Sequence, residues 1–367
     1  MGTPLVSVAM VVCNVERFLA EAIESILNQT FRDFEFIIVD FGSTDGSQSI
    51  IRSYQAKDDR IQFHVIPHCN LSEARNACCF RARGKYLALL DADDVALPDR
   101  LARQVQYLES HPEIGILGAA HDLIDQAGRR LGTVGELASD GEIRNTLRKG
   151  CPFCPSTVTM RLEEFQAVKG YRKAFAGTEA SNVISYAEDY DLWLRMMERC
   201  RAAKLGDALA CYRLHTGQLG SRTLRQLSLG HCVARASATI RSQGRADPLD
   251  SDDSIAIELL AELGVTEEQV ENQLLESYYI RVLTLQRANM GTSILPLVKE
   301  MLEVLAQSKS VRDSVAAETW FTAARVYWHL GNVTGACAAM TRAVVTYPAW
   351  VARLPWRGIR WVARRAT

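Results

Sequence analysis

The chain predicts an α/β fold, a mostly parallel sheet with flanking helices, followed by a C-terminal α-helical module. Three observations carry this reading. Short apolar runs alternate with amphipathic segments of helix length through the first 95 residues, the pattern of a βαβ progression. Those runs lack polar alternation, as strands buried on both faces do. Beyond about residue 225 the strand-like runs give way to helical periodicity.

Leu5 to Cys13 is almost wholly apolar and predicts the first strand. Glu16 to Asn28 sets Phe18, Leu19, Ala22, Ile23, Ile26 and Leu27 on one helical stripe. Phe34 to Asp40 is the second strand. It runs into the turn-forming cluster Gly42, Ser43, Thr44, Asp45 and Gly46, ahead of a helix carrying Ile50, Ile51 and Tyr54. Ile61 to Ile66 predicts a third strand, Ser72 an N-cap for a helix from Glu73 to Arg81, and Tyr86 to Leu90 a fourth strand. Ligands of such a sheet lie beyond the carboxyl ends of its strands. Asp40 and Asp91 both fall on that edge.

The fourth strand ends in YLALLDADD, which delivers Asp91, Asp93 and Asp94 within four positions. Carboxylates that close raise one another's pKa unless compensated, so the segment predicts a site for a hard divalent cation or its ligand. The plainer alternative is a solvated acidic turn. Further on, Pro98 to Glu109 reads as a helix, Ile114 to Ala120 as a strand, the stretch from Asp140 as a helix, and Pro155 to Met160 as an extended strand. Lys173 to Ser185, with Gly177, Thr178 and Ser181, reads as a flexible loop.

Lys and Arg number 42 against 43 Asp and Glu, so no bulk charge points to nucleic acid. The ten cysteines are scattered. Cys151 and Cys154 form one CxxC without a second ligand pair, which favours a structural reading, and Cys78 and Cys79 are expected to pack. No signal-like start and no window of about 20 apolar residues is present, so reduced thiols in a cytoplasmic protein are expected. Helices are expected over Ile255–Leu263, Glu267–Met290, Ser293–Ala306 and Val311–Trp328. Trp320 to Pro348 resembles a single tetratricopeptide-type hairpin, which cannot bury its faces alone. No Asp or Glu follows Glu318, and five arginines from Arg353 to Arg365 interleave with Trp350, Trp356 and Trp361. That composition suits a basic interfacial segment at a membrane surface, with a docked helix or a solvated tail as the alternatives.

The segments VSVAMVVCNVERFLAEAIESILNQTFRDFEFIIVDFGSTDGS, LSEARNACCFRARGKYLALLDADDVALPDRL, AEDYDLWLRMM and YRLHTGQLGS resemble, in order over residues 1–225, the family 2 glycosyltransferases with the Rossmann-like GT-A fold. The expected organisation is therefore a GT-A domain over 1–225 and a helical module over 226–367. The resemblance implies transfer of a sugar from a nucleotide-sugar donor, commonly a UDP-sugar, with inversion at the anomeric carbon. It also implies a glycan or lipid-linked acceptor and Mn or Mg as cofactor. By position it implies that Asp40 receives the uracil N3–H, with Asn14 and Glu16 in the loop beside the nucleoside and Arg75 near the nucleotide. Asp91 and Asp93 match the DxD motif, Asp91 toward the ribose and Asp93 on the metal, with Asp94 behind them. His215 matches a closing histidine that in some members reaches the metal or diphosphate. A helix-surface Arg75 paired with Glu73 or solvent, and a purely structural His215, are the plainer readings.

Asp189 is the expected base that takes the acceptor proton. On a helix it precedes Leu192 and Trp193 by three and four positions, whereas Asp191 shares its side with Arg195. Several residues depart from the family pattern: Cys13 for an aromatic, Phe41 for an acid, and Asn70 and Cys78 for glycines. These departures leave open a nucleotide-sugar-binding scaffold without turnover. Nucleotidyl transfer on a related sheet is a third alternative.

Overall fold

The computed structural model describes residues 2–67, 69–175, 186–215, 224–250, 255, 257–287, 291–308 and 311–347. The chain divides into two compact units, Met1–Gly264 and Val265–Thr367. The first contains the sheet. Its end lies some way past residue 225, where the family resemblance fades, because the helix Leu224–Ser242 and the turn Pro248–Asp250 belong to it. Arg172 ties that segment down, donating to Ser237 Oγ at 3.2 Å, Asp247 Oδ2 at 2.8 Å and Asp250 Oδ1 at 2.7 Å.

The apolar runs form strands where both faces are covered. In chain order β1 is Val6–Val12, α1 Glu16–Leu27, β2 Phe34–Asp40, α2 Ser47–Gln55, β3 Ile61–Val65, α3 Leu71–Cys79 and β4 Tyr86–Leu89. These four strands pair in parallel in the order β3-β2-β1-β4. All seven residues of β2 are buried. The α1 stripe of Phe18, Leu19, Ala22, Ile23 and Ile26 is buried as well, and each of its four large side chains stabilises the fold by about 1.5–3 kcal/mol relative to exposure.

Beyond β4 come β5 (Val95–Ala96), α4 (Arg100–Ser110), β6 (Ile114–Ile124), β7 (Arg130–Val134), α5 (Asp140–Leu147), β8 (Thr159–Arg161), α6 (Leu162–Ala167), α7 (Glu188–Met196), β9 (Arg201–Arg213) and α8 (Leu224–Ser242). The sheet continues β4-β8-β6-β9-β5, with β7 on β6. Here β8 is antiparallel to β4 and to β6, β9 runs parallel to β6, and β5 antiparallel to β9. The result is a mixed, mostly parallel GT-A sheet.

Two local expectations are corrected. Helix α3 is capped by Asn70, whose side chain accepts from Glu73 N–H at 2.9 Å while Glu73 Oε2 accepts from Asn70 N–H at 3.1 Å. This reciprocal capping box outcompetes Ser72, which lies fully buried in the first turn. Pro155 to Met160 is not one strand: Pro155–Thr157 forms a 3₁₀ turn before β8.

The second unit is helical, with Glu267–Arg287, Gly291–Gln307, Asp313–His329 and Val333–Thr346. The last two form the expected hairpin, turning at Gly331 with φ +77° and capped by Asn332, whose side chain accepts from Gly335 N–H at 2.9 Å. The basic aromatic segment after Tyr347 and residues 176–185 of the expected loop lie outside the described residues. Among the described residues no helix is long and apolar enough to cross a membrane.

Candidate functional site

Asp40 ends β2 fully buried. Its Oδ1 accepts from Gly42 N–H at 3.2 Å, Ser43 N–H at 3.1 Å and Gln48 Nε2 at 2.9 Å, while its buried Oδ2 has no hydrogen-bond partner. A buried carboxylate oxygen left over after three bonds to its twin costs free energy unless a donor reaches it. The loop after β1 is stitched to the same turn. Asn14, in the left-handed region at φ +53° that Asn tolerates, accepts from Thr44 N–H at 2.8 Å through Oδ1, and its N–H donates to Ser43 Oγ at 2.9 Å. Glu16 Oε2 accepts from Gly46 N–H at 2.6 Å, and Glu16 N–H donates to Asp45 at 3.0 Å. Both side chains are exposed beside the Asp40 turn.

The DADD turn follows β4. Asp94 is buried, its Oδ2 accepting from Ser156 Oγ at 2.5 Å and its Oδ1 from Arg213 N–H at 2.8 Å. Burial, with Asp93 and Asp91 alongside, holds its carboxyl well above the usual range. Asp93 instead turns outward to His215, with Oδ2 and Nε2 2.9 Å apart. The His215 ring packs against Phe18, centroids 4.9 Å apart. Among the described residues no group of three or more His, Cys, Asp or Glu side chains is arranged to hold a metal by itself. One carboxylate and one imidazole would need oxygens from water and a bound phosphate to complete a shell, which is how Mg-type cations are commonly held.

Arg75 projects from α3 across the edge of the sheet. Its Nη2 lies 3.2 Å from Asp91 Oδ1 and its Nε 3.3 Å from Glu188 Oε1, and the guanidinium stands 5.7 Å from the centre of the Tyr171 ring. The expectation of a pair with Glu73 or solvent is not what forms, because Glu73 caps its own helix. Glu188 and Asp189 open α7 beside this arginine. Burial pushes the Glu188 carboxyl up to about 7, against the pull of Arg75. Burial likewise raises Asp189 and Asp91, again with Arg75 opposing. Asp189 Oδ1 accepts from Tyr190 N–H at 2.7 Å. Asp191 faces elsewhere: it is fully buried and bonded to Arg195 Nε at 2.8 Å.

The structure thus brings Arg75, Asp91 and Asp189 together, places Asp93 with His215, and gathers Asn14 and Glu16 around the Asp40 turn. Sequence reasoning missed Glu188, Ser156 and Arg213. Glu188 had a signal, being the acid next to Asp189 in AEDYD. Ser156 had none, since its partners lie 62 and 65 residues away.

A curled, mostly parallel sheet with an acidic turn and a basic residue at its carboxyl edge defines the class: a GT-A transferase. Comparison with known proteins narrows it. The model of the family described as "Glycosyl transferase family 2" matches residues 7–165. EpsE of Bacillus subtilis (strain 168), whose name assigns it to the glycosyltransferases, is 37% identical over 209 residues, 56% of this chain and 72% of EpsE. The O-antigen biosynthesis glycosyltransferase WbnJ of Escherichia coli is 29% identical over 216 residues, 58% of this chain and 80% of WbnJ. Among solved structures, S. aureus TarS 1-349 in complex with UDP-GlcNAc superposes with a TM-score of 0.52 at 15% identity, covering 96% of this chain and 93% of that one, and so shares the fold. The chain belongs to glycosyltransferase family 2.

Proposed function

We propose that the chain is an inverting, divalent-metal-dependent enzyme that moves a sugar from a UDP-sugar to a hydroxyl of a glycan or lipid-linked acceptor. The observation that carries this reading is Arg75. One guanidinium lies between Asp91 at the sheet edge and Glu188 next to Asp189, so the donor-side and acceptor-side acids converge on one point.

Asp189 takes the proton of the acceptor hydroxyl. The raised pKa caused by burial makes it a stronger base than an exposed carboxylate. Arg75 keeps a fixed positive charge beside Asp91 and Asp189 and so opposes protonation of the base before substrate arrives. As the acceptor oxygen bonds to the anomeric carbon from the face opposite the departing diphosphate, the proton passes to Asp189 and the electron pair leaves with the diphosphate. Asp93 and His215 are the residues that would hold Mn or Mg, which when bound supplies Lewis-acid neutralisation of the leaving diphosphate. Asp40 Oδ2 would accept the imide N–H of the base, with Asn14 and Glu16 lining the nucleoside loop and Asp91 reaching the ribose. The name of WbnJ supports a glycan acceptor. The composition of Trp350 to Arg365 supports peripheral contact with a membrane carrying a lipid-linked one.

The test is a panel of UDP- and GDP-sugars with candidate glycan and lipid-linked acceptors, with and without Mn. Nucleotide release that requires both the metal and an acceptor, giving a product of inverted anomeric configuration, is the expected result. Binding without release across the panel would make the chain a nucleotide-sugar-binding scaffold, and release of pyrophosphate would make it a nucleotidyltransferase.

A further inference from the structure

Asp93 is the acid of the DADD turn that faces outward, and most of the bonds that hold its peptide come from outside the turn. Ser156 Oγ donates to Asp94 Oδ2 at 2.5 Å and accepts from Asp91 N–H at 3.1 Å, so one hydroxyl clips the residues on both sides of Asp93. Asp94 Oδ1 accepts from Arg213 N–H, and Arg213 Nε donates to the Asp93 carbonyl, each at 2.8 Å. Asp94 N–H to the Asp91 carbonyl, at 3.1 Å, closes the turn. Ser156 is fully buried, and Asp94 and Arg213 are 1% exposed. The turn after β4 and the end of β9, which carries His215 two residues past Arg213, are therefore one hydrogen-bonded piece. Ser156 reaches it from the 3₁₀ turn before β8.

We propose that Ser156 is a positioning residue for the divalent cation of the donor complex: acting through Asp94 and the Asp91 N–H, its hydroxyl holds the Asp93 carboxylate opposite His215. The inference rests on the reading of Asp93 and His215 as the pair that would hold that cation. Removal of the hydroxyl strands a buried carboxylate oxygen and a backbone N–H together, and these regain partners only by reshaping the peptide between them, which is the one carrying Asp93. A serine that merely filled space or satisfied a core acid would lower stability without altering the response to metal.

Calorimetric titration of the full chain with UDP and with GDP, each with and without Mn²⁺, separates the two. Thr159 supplies the control, because its buried hydroxyl donates to Gln104 Oε1 at 2.7 Å from β8 and has no bond to the DADD turn. Ser156→Ala is expected to weaken Mn²⁺-dependent nucleotide affinity by about tenfold, because the bonds to Asp94 Oδ2 and from Asp91 N–H are lost together. Metal-free affinity should stay close to wild type. Ser156→Thr, which keeps the hydroxyl, should recover most of the loss, while Thr159→Val should lower the melting temperature and leave the Mn²⁺ dependence as it is. If Ser156→Ala does not fold, Ser156→Cys, with its weaker donor, should show the loss in the same direction. An unchanged Mn²⁺ dependence in Ser156→Ala or, where that variant does not fold, in Ser156→Cys, or an equal loss in Thr159→Val, overturns the inference alone. A wild-type protein that binds neither nucleotide in an Mn²⁺-dependent way overturns the cation reading and this inference with it.

Discussion

Helix α7 carries two aspartates two residues apart in opposite electrical surroundings. Asp191 is fully buried and meets Arg195 Nε at 2.8 Å and Arg172 Nη1 at 3.5 Å. Arg195 goes on to the carbonyls of Val168 and Gly170, at 2.7 and 2.8 Å. On the other face, Asp189, Glu188 and Asp91 all draw on the single guanidinium of Arg75. An acid matched twice over, by Arg195 bonded to two backbone carbonyls and by Arg172 bonded to Ser237, Asp247 and Asp250, holds the fold together. Acids that outnumber their cation are held above the ordinary carboxylate range by burial, and perturbed carboxylates of this kind gather at functional sites.

Exchanging the two acids for amides tests that division. Asp189→Asn should lower turnover by about 10²–10⁴-fold in single-turnover assays, with donor affinity and melting temperature retained. Loss of this size in Asp191→Asn instead would mean that α7 meets the acceptor with its other face. Asp191→Asn should act on stability, by about 3–5 kcal/mol in urea denaturation, because it leaves the buried Arg195 without its carboxylate. Turnover per folded molecule should hardly change. On the donor side, Asp93→Ala should remove the Mn²⁺-dependent part of nucleotide affinity, a loss of roughly 10–100-fold by calorimetry, while sparing the fold. Unaltered Mn²⁺-dependent affinity would place the cation elsewhere.

The smallest effect is one of pH. Glu188 has a carboxyl at about 7 in the folded chain, raised from 4.5. Between those values the folded state holds a proton that the unfolded chain has lost, so this group's contribution is complete below pH 4.5 and is lost as pH rises through 7. Glu188→Gln should abolish that decline, read from denaturation midpoints at a series of pH values. A decline of equal slope in the variant would assign it to other groups.

The parallel half of the sheet was legible because its strands are buried on both faces: Phe34 to Asp40 reads as a strand and is one, residue for residue. Where burial is partial the signal fades. β7 has no buried residue and was not anticipated, and β5 has only two residues. The acids of the site were legible as motifs, but their partners were not. Arg75 meets Glu188 113 positions away, and Ser156 meets Asp94 across 62; no periodicity encodes such pairs. The Ser72 cap failed for a local reason, since Asn70 and Glu73 satisfy each other's backbone and Ser72 then points inward.

The stitching of the β1 loop to the β2 turn bears on how this enzyme's lineage can drift. A Cβ at Gly46 would stand 2.6 Å from Glu16 Oε2, the oxygen that Gly46 N–H already uses. Asn14 and Thr44, and Glu16 and Asp45, are bonded across the same seam, so a change on one loop needs a matching change on the other. Cys13 and Phe41, each half-buried at the rim of the Asp40 turn, take no side-chain part in these bonds across the seam. On the proposed reading of the Asp40 turn as the nucleobase pocket, a new base preference has an open road through positions 13 and 41 and a closed one through 14, 16 and 46.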